Sequence, residues 1–244
     1  MTANAPFDRS LGSFIKRLRI HSPIADEDAD AIRTLPCRVL RLRQNSQLVR
    51  EGDLTDRCVV LVSGFMHRFR FSEDGRRQIL SLYVPGDPVD FDHLFLPVAD
   101  DGLQALRDSL LASIAHSDLR KLMRERPAVA DAITRALQVD SSIFREWILN
   151  VGQRDARARI AHLLCEISAR LQAQDFDFEN IPLPLTQDQI ADATGLSSIH
   201  VNRTLKVLNA EKWIERRGAL VMLPNPDALR ELAGFDARYL HLDA

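Results

Sequence analysis

The chain has 244 residues, 45% of them hydrophobic, and its 32 lysines and arginines nearly balance 34 aspartates and glutamates, leaving a formal charge of −2. This composition suits a soluble globular protein of two domains, and a near-neutral total still leaves room for a basic surface on one face. No apolar run approaches a membrane span and none resembles a signal peptide, so a cytoplasmic protein without a membrane partner is expected.

From the N-terminus, residues 14–20 predict a short amphipathic helix and residues 23–36 a mostly helical lead-in. The pattern then changes. Residues 38–42, 58–62, 65–71, 79–83 and 110–114 are short alternating or β-branched runs, and Gly52, Gly64, Gly75 and Gly86 punctuate this region at intervals of 11 to 12 residues. Short strands between evenly spaced glycine turns predict an antiparallel β-roll of jelly-roll type, so the expected fold class is α+β.

Residues 127–151 contain no glycine and no interior proline, and Pro127 suits the first turn of a helix. Such a helix spans about 37 Å, longer than either small domain requires. It carries two apolar stripes, one of Val129, Ala132, Ala136, Val139, Ile143 and Trp147, the other of Ile133, Leu137, Phe144, Ile148 and Val151. One stripe can cover the roll and the other needs a partner; the first is assigned to the interface of a parallel homodimer. The alternative is that both pack within one chain. Asn150-Val151-Gly152 is expected to end the helix as a hinge. The expected domains are residues 1–125, the dimerisation helix and hinge 126–152, and 153–244.

Residues 155–172 predict the first helix of the C-terminal domain. Thr186 followed by Gln189 is a capping box opening a short helix with Ile190 and Ala191 inward, Gly195 permits a sharp turn, and Ser197 caps a second helix anchored by Val201, Leu205 and Leu208. Residues 213–223 then read as two short strands around Gly218, with Arg216 and Arg217 at the bend. Two helices across a tight turn followed by a hairpin outline a winged helix-turn-helix, a shape that sets a helix into the major groove of DNA. On the second helix Ser198, Ile199, His200, Asn202 and Arg203 are the candidate base readers. Arg203 can fork onto guanine, Asn202 can pair with adenine or hold a phosphate, and Ile199 can pack on a thymine methyl. Thr186, Ser197, Lys206, Arg216 and Arg217 are the candidate phosphate contacts. A solvated helix also needs polar residues, but five lysines and arginines against two acidic residues between Leu196 and Gly218 fall where a DNA surface needs them.

A roll, a long helix and a winged helix-turn-helix in this order resemble the CRP/FNR family of transcription regulators over roughly residues 30 to 230. Leu61-Val62-Ser63-Gly64 and Pro85-Gly86-Asp87 resemble its roll turns. Arg154-Asp155-Ala156 with the run 159–164 resembles its approach to the DNA domain, and the run 190–197 followed by 201–205 resembles its helix-turn-helix. The resemblance implies a homodimer on an inverted repeat near a promoter that recruits or blocks RNA polymerase, with an unknown small-molecule effector bound in the roll.

Departures from the family bear on the effector. Members that bind cyclic nucleotide carry a glutamate and then an Arg-Ser pair after the glycine turn, whereas here the run 86–93 continues to Asp100-Asp101-Gly102-Leu103 with no such pair. Asp90, Asp92, Asp100 and Asp101 read as an acidic surface loop in which a phosphate is unfavourable, with Arg107 nearby to pair with Asp108 or Asp101. Asp90, Asp92 and His93 offer metal donors but define no geometry, and isolated His67 and His93 define no haem site. Members with an iron-sulfur centre hold it by clustered cysteines, but only Cys37 lies near the N-terminus here, Cys58 and Cys165 read as buried structural thiols, and no CxxC pair or disulfide is indicated. No cofactor and no metal are therefore expected. Where many relatives place a glutamate that accepts from cytosine, Ile199 stands. A cupin-like enzyme lacks a convergent His/Glu set, so no catalytic residue is assigned; a roll serving only as a dimer scaffold is the other alternative.

Overall fold

The computed structural model describes residues 11–176, 185–217 and 220–242. They divide into two compact units, one of residues 1–68, 82–141 and 241–244, the other of residues 69–81 and 142–240. This division falls within the long helix near residue 141 rather than setting that helix apart.

The first unit begins with helices α1 (Gly12–His21) and α2 (Asp26–Arg33). Strands β1 (Cys37–Leu42), β3 (Arg57–Ser63) and β7 (Ser109–Ala115) form one antiparallel sheet in the order β1-β7-β3. Strands β2 (Gln47–Val49), β4 (Met66–Phe71), β5 (Arg77–Tyr83) and β6 (Gly102–Ala105) form a second in the order β2-β6-β4-β5, of which residues 69–81 are counted with the other unit. The expected roll is thus present, with two short strands that the sequence pattern did not reveal.

Strand alternation divides its packing. Cys58 pairs with Ile114 and Val60 with Ala112, and these four join a core with Phe14, Leu18, Ile32 and Leu119. Val59, Leu61 and Leu111 belong instead to a second core with Val49, Met66, Tyr83 and Leu103. A sheet buried on both faces reads as continuous apolar runs, which is why β3 and β7 stood out in the sequence. At Gly64 the backbone takes φ +93°, and a Cβ there would lie 2.4 Å from the Asp108 carbonyl oxygen, so only glycine fits.

The segment after the Gly86 turn departs from expectation. Asp90, His93 and Asp101 are buried, while Asp100 is exposed, so the expected acidic surface loop is largely interior. The compensating cation is Arg68 of β4, not Arg107. Its Nη1 donates to Asp92 at 2.7 Å and to Asp101 at 3.0 Å; its Nη2 donates to the second Asp92 oxygen at 2.9 Å and to the Val89 carbonyl at 3.1 Å; its Nε donates to the Tyr83 hydroxyl at 2.9 Å. All five guanidinium donors are engaged. Burial nevertheless raises the Asp101 carboxyl to about 6 and the Asp90 carboxyl to about 8. A second buried pair, Arg17 Nε to Asp87 Oδ1 at 3.0 Å, ties α1 to the Pro85-Gly86-Asp87 turn.

Helix α3 (His116–Glu125) leads into α4 (Pro127–Gln153), which runs through Asn150-Val151-Gly152. The break follows at Arg154, where the Asp155 side chain caps the next helix by accepting from Arg157 N and Ala158 N. The stripe assigned to a partner is corrected. Val129, Ala132, Ala136, Val139, Ile143 and Trp147 are all buried within the single chain. Val129, Ala132 and Ala136 complete the core beneath α1 and α2, and the Trp147 indole N–H donates to both Glu166 oxygens at 3.0 and 3.2 Å. A buried indole needs an acceptor, and this one is supplied internally. Exposed apolar surface on α4 is instead carried by Ile148, 74% exposed, and Leu149, 47% exposed.

In the second unit α5 (Ala156–Ala173) is buried from residue 160 to 171. Its Glu166 also accepts from the Tyr239 hydroxyl at 2.9 Å and Arg170 at 3.3 Å. His162, on the same helix, stacks on Tyr239 and meets Phe235 edge-on. Helix α8 (Pro226–Ala233), not anticipated from the sequence, follows an Asn225 cap and ends at Gly234.

Two outcomes follow from these buried charges. Arg68→Met leaves Asp92 and Asp101 without their cation and is expected to cost about 3–5 kcal/mol in denaturant unfolding; a loss below about 1 kcal/mol would contradict this role. Burial and then Arg154 lower the folded-state value of His162 to about 3, against 6.5 unfolded. The unfolded chain therefore takes up the proton first, so this contribution to stability is intact above pH 6.5 and is lost as pH falls toward 3. His21, lowered to about 4 by burial and Arg17, acts in the same sense. Stability measured from pH 8 to 4 is expected to fall less steeply in His162→Gln than in the unmodified protein.

Candidate nucleic-acid interface

Helix α6 (Gln187–Thr194) opens with the predicted capping box. Thr186 Oγ1 accepts from Gln189 N at 3.2 Å, and Gln189 Oε1 accepts from Thr186 N at 2.9 Å. A cap of this kind contributes about 1 kcal/mol. Ile190 and Ala191 are buried as expected. The helix ends at Gly195, whose φ of 65° and ψ of 24° are left-handed, and α7 (Ser198–Ala210) begins three residues later. Ser197 caps it by accepting from His200 N at 3.2 Å.

One face of α7 is held inward by Val201, Thr204, Leu205 and Leu208. The three apolar positions are those the spacing indicated. On the other side Ser198, Ile199, His200, Arg203 and Lys206 are exposed, while Asn202 is half-buried. Among the described residues Arg203 and Lys206 have no hydrogen-bond or ion-pair partner. Both border an open depression of about 490 Å³ with Gln187, Ser198, Ile199 and Asn202. Uncompensated cations beside exposed apolar and amide groups can neutralise phosphates and meet base edges together.

Two candidates are tied to α6. Ser198 Oγ donates to Asp188 Oδ1 at 2.5 Å, and Asn202 Nδ2 donates to Gln187 Oε1 at 2.7 Å. Sequence reasoning missed both α6 partners because helix spacing alone says nothing about contacts across a turn. It also missed the brace beneath: Arg159 of α5 donates Nη1 to the Thr194 carbonyl at 2.9 Å and Nη2 to the Arg154 carbonyl at 2.8 Å. Asp192 of α6 pairs with Arg77, which lies in the same compact unit, at 2.7 Å.

Beyond α7 the chain pairs β8 (Glu215–Arg217) with β9 (Leu220–Met222) antiparallel, Arg216 opposite Val221 and Arg217 opposite Leu220. The predicted hairpin is present. The Gly218-Ala219 turn and the side chains of Arg216 and Arg217 lie outside the described residues.

Comparison with known proteins agrees with this architecture. The family model described as a cyclic nucleotide-binding domain matches residues 39–126, and that described as a Crp-like helix-turn-helix domain matches residues 158–232. An anaerobic regulatory protein of Pasteurella multocida is 26% identical over 220 residues, which cover 90% of this chain and 81% of that one. The transcriptional activator protein Anr of Pseudomonas protegens is 26% identical over 208 residues, 85% of each chain. The solved structure of FixK2 from Bradyrhizobium japonicum shares the fold, with a TM-score of 0.75 at 23% identity over 83% of this chain and 100% of that one. With a roll of the one family and a helix-turn-helix of the other on a single chain, and regulators aligned along most of its length, the protein belongs to the CRP/FNR family of DNA-binding transcription regulators.

Proposed function

We propose that this regulator acts without catalysis, as a cytoplasmic homodimer that reads an inverted repeat and recruits or blocks RNA polymerase. The observation that carries the DNA-reading half is the exposed pair Arg203 and Lys206, without partners among the described residues, on a helix whose opposite face is anchored in the core. Twofold symmetry doubles the reading surface and makes the operator mirror it.

The dimer contact is reassigned to Leu137, Phe144, Ile148 and Val151 of the second stripe of α4, whose remaining member, Ile133, is buried in the core of its own chain. Leu137, Phe144 and Val151 are half-buried and Ile148 is exposed. With Ala130, Thr134 and Ser141 they recur at alternating spacings of four and three, the heptad seam of a parallel helix pair. Small Ala130 and Ser141 let the backbones approach, and the Ser141 hydroxyl is already satisfied by the Leu137 carbonyl at 3.0 Å.

Neither cyclic nucleotide nor an iron-sulfur centre enters the proposal. Arg68, the buried cation of the roll, has every donor engaged, two of its partners being the Asp92 and Asp101 carboxyl groups, so a cyclic phosphate does not fit these residues. Burial pushes the Cys58 thiol up and the Cys165 thiol up to about 12, which leaves the half-buried Cys37 as a lone candidate ligand. An effector of other chemistry acting through the roll remains the reading. The saturated Arg68 favours a second one, in which the roll is a ligand-independent scaffold.

Selection from a random DNA library by the purified protein, with no small molecule added, is expected to recover a twofold-symmetric sequence. Arg203→Ala is expected to abolish that selectivity, whereas Arg216→Ala and Arg217→Ala weaken all DNA binding and lower its salt dependence by about one unit of slope each. Equal loss of specific and random binding in Arg203→Ala would contradict the assignment. Ile148→Asp is expected to yield a folded monomer by sedimentation with at least tenfold weaker operator binding; an unchanged dimer would overturn the seam.

A further inference from the structure

We infer that α6 withdraws Ser198 and Asn202 from base reading and leaves Ile199, His200 and Arg203 at the groove, where Arg203 takes guanine and Ile199 takes the 5-methyl group of a nearby thymine. This rests on the regulatory reading above. Of the five base readers expected from sequence, Ser198 already donates its hydroxyl to Asp188. Asn202 donates its amide to Gln187 at the start of α6 and is half-buried. That bond makes Gln187 a positioning residue, because it fixes α7 against α6 at the turn nearest the groove.

What remains is chemically simple. Ile199 is 76% exposed and lines the same depression as Arg203, one helical turn away. Isoleucine has no hydrogen-bonding group, and the thymine methyl is the one apolar feature on a major-groove base edge. Residues four apart on a helix have Cβ atoms about 6 Å apart, which corresponds to one or two base-pair steps of about 3.4 Å. The methyl therefore lies within two base pairs of the guanine read by Arg203.

The test uses the operator recovered by selection, resynthesised with each thymine in turn replaced by deoxyuridine, which removes only the methyl. One thymine per half-site, within two base pairs of the Arg203-dependent guanine, is expected to lose about fourfold in affinity when replaced, and about 15-fold when both half-sites are replaced. Ile199→Ala, a surface change, is expected to bind thymine and uracil operators equally, while Asn202→Ala keeps the fourfold ratio. The inference is overturned if no thymine is sensitive, if the ratio persists in Ile199→Ala, or if Asn202→Ala abolishes it. A full-length protein that recovers no sequence at all overturns the regulatory reading as well, a result distinct from a recovered operator that is indifferent to uracil.

Discussion

The reading surface depends on one tight reversal of the chain, at Gly195. A left-handed residue there costs other side chains about 1 kcal/mol, and the turn also brings the glycine to within ordinary contact of the Val151 side chain, 3.4 Å from where a Cβ would stand. Arg159 reinforces the reversal from below. It satisfies the Thr194 carbonyl, one of the orphan acceptors at the end of α6, and the Arg154 carbonyl at the break after α4. One guanidinium thus couples the end of α4 to the angle between α6 and α7, and that angle decides which α7 residues face outward.

Both units also bury charge, and each tolerates it by the same means. A buried ion costs several kcal/mol unless its hydrogen-bonding capacity is filled. Arg68 fills all five donors within the roll, and Glu166 collects donors from Trp147, Tyr239 and Arg170. These networks are specific because their partners come from distant parts of the chain. They also change the chemistry available. A roll of a shape associated with an anionic ligand has its cation already neutralised by aspartates, so kinship of fold does not carry over to kinship of ligand.

Helix α4 shows how such a network redirects a surface. Both of its stripes are apolar by sequence, and periodicity alone does not say which one faces a partner. At its C-terminal end Glu166 gives the Trp147 indole an internal acceptor, and at its N-terminal end Val129, Ala132 and Ala136 join the core with α1 and α2. Ile148 and Leu149 are left outward as a consequence.

Local signals were legible throughout. Helix caps at Thr186 and Ser197, the glycine turns of the roll, the anchoring trio Val201, Leu205 and Leu208, and the proline that opens α4 each depend on neighbours within a few residues, and each formed where the pattern placed it. Short β2 and β6 offered too few residues to show alternation, and α8 carried no signal recognised beforehand. Composition and spacing by themselves determined the order of roll, long helix and helix-turn-helix, because those elements are set by periodicity and backbone freedom. Only the tertiary structure decided that Arg68 neutralises the aspartates, that the Trp147 stripe turns inward, and that α6 holds Ser198 and Asn202, because each of those outcomes is a pairing between groups that the sequence keeps apart and the fold brings within hydrogen-bonding distance.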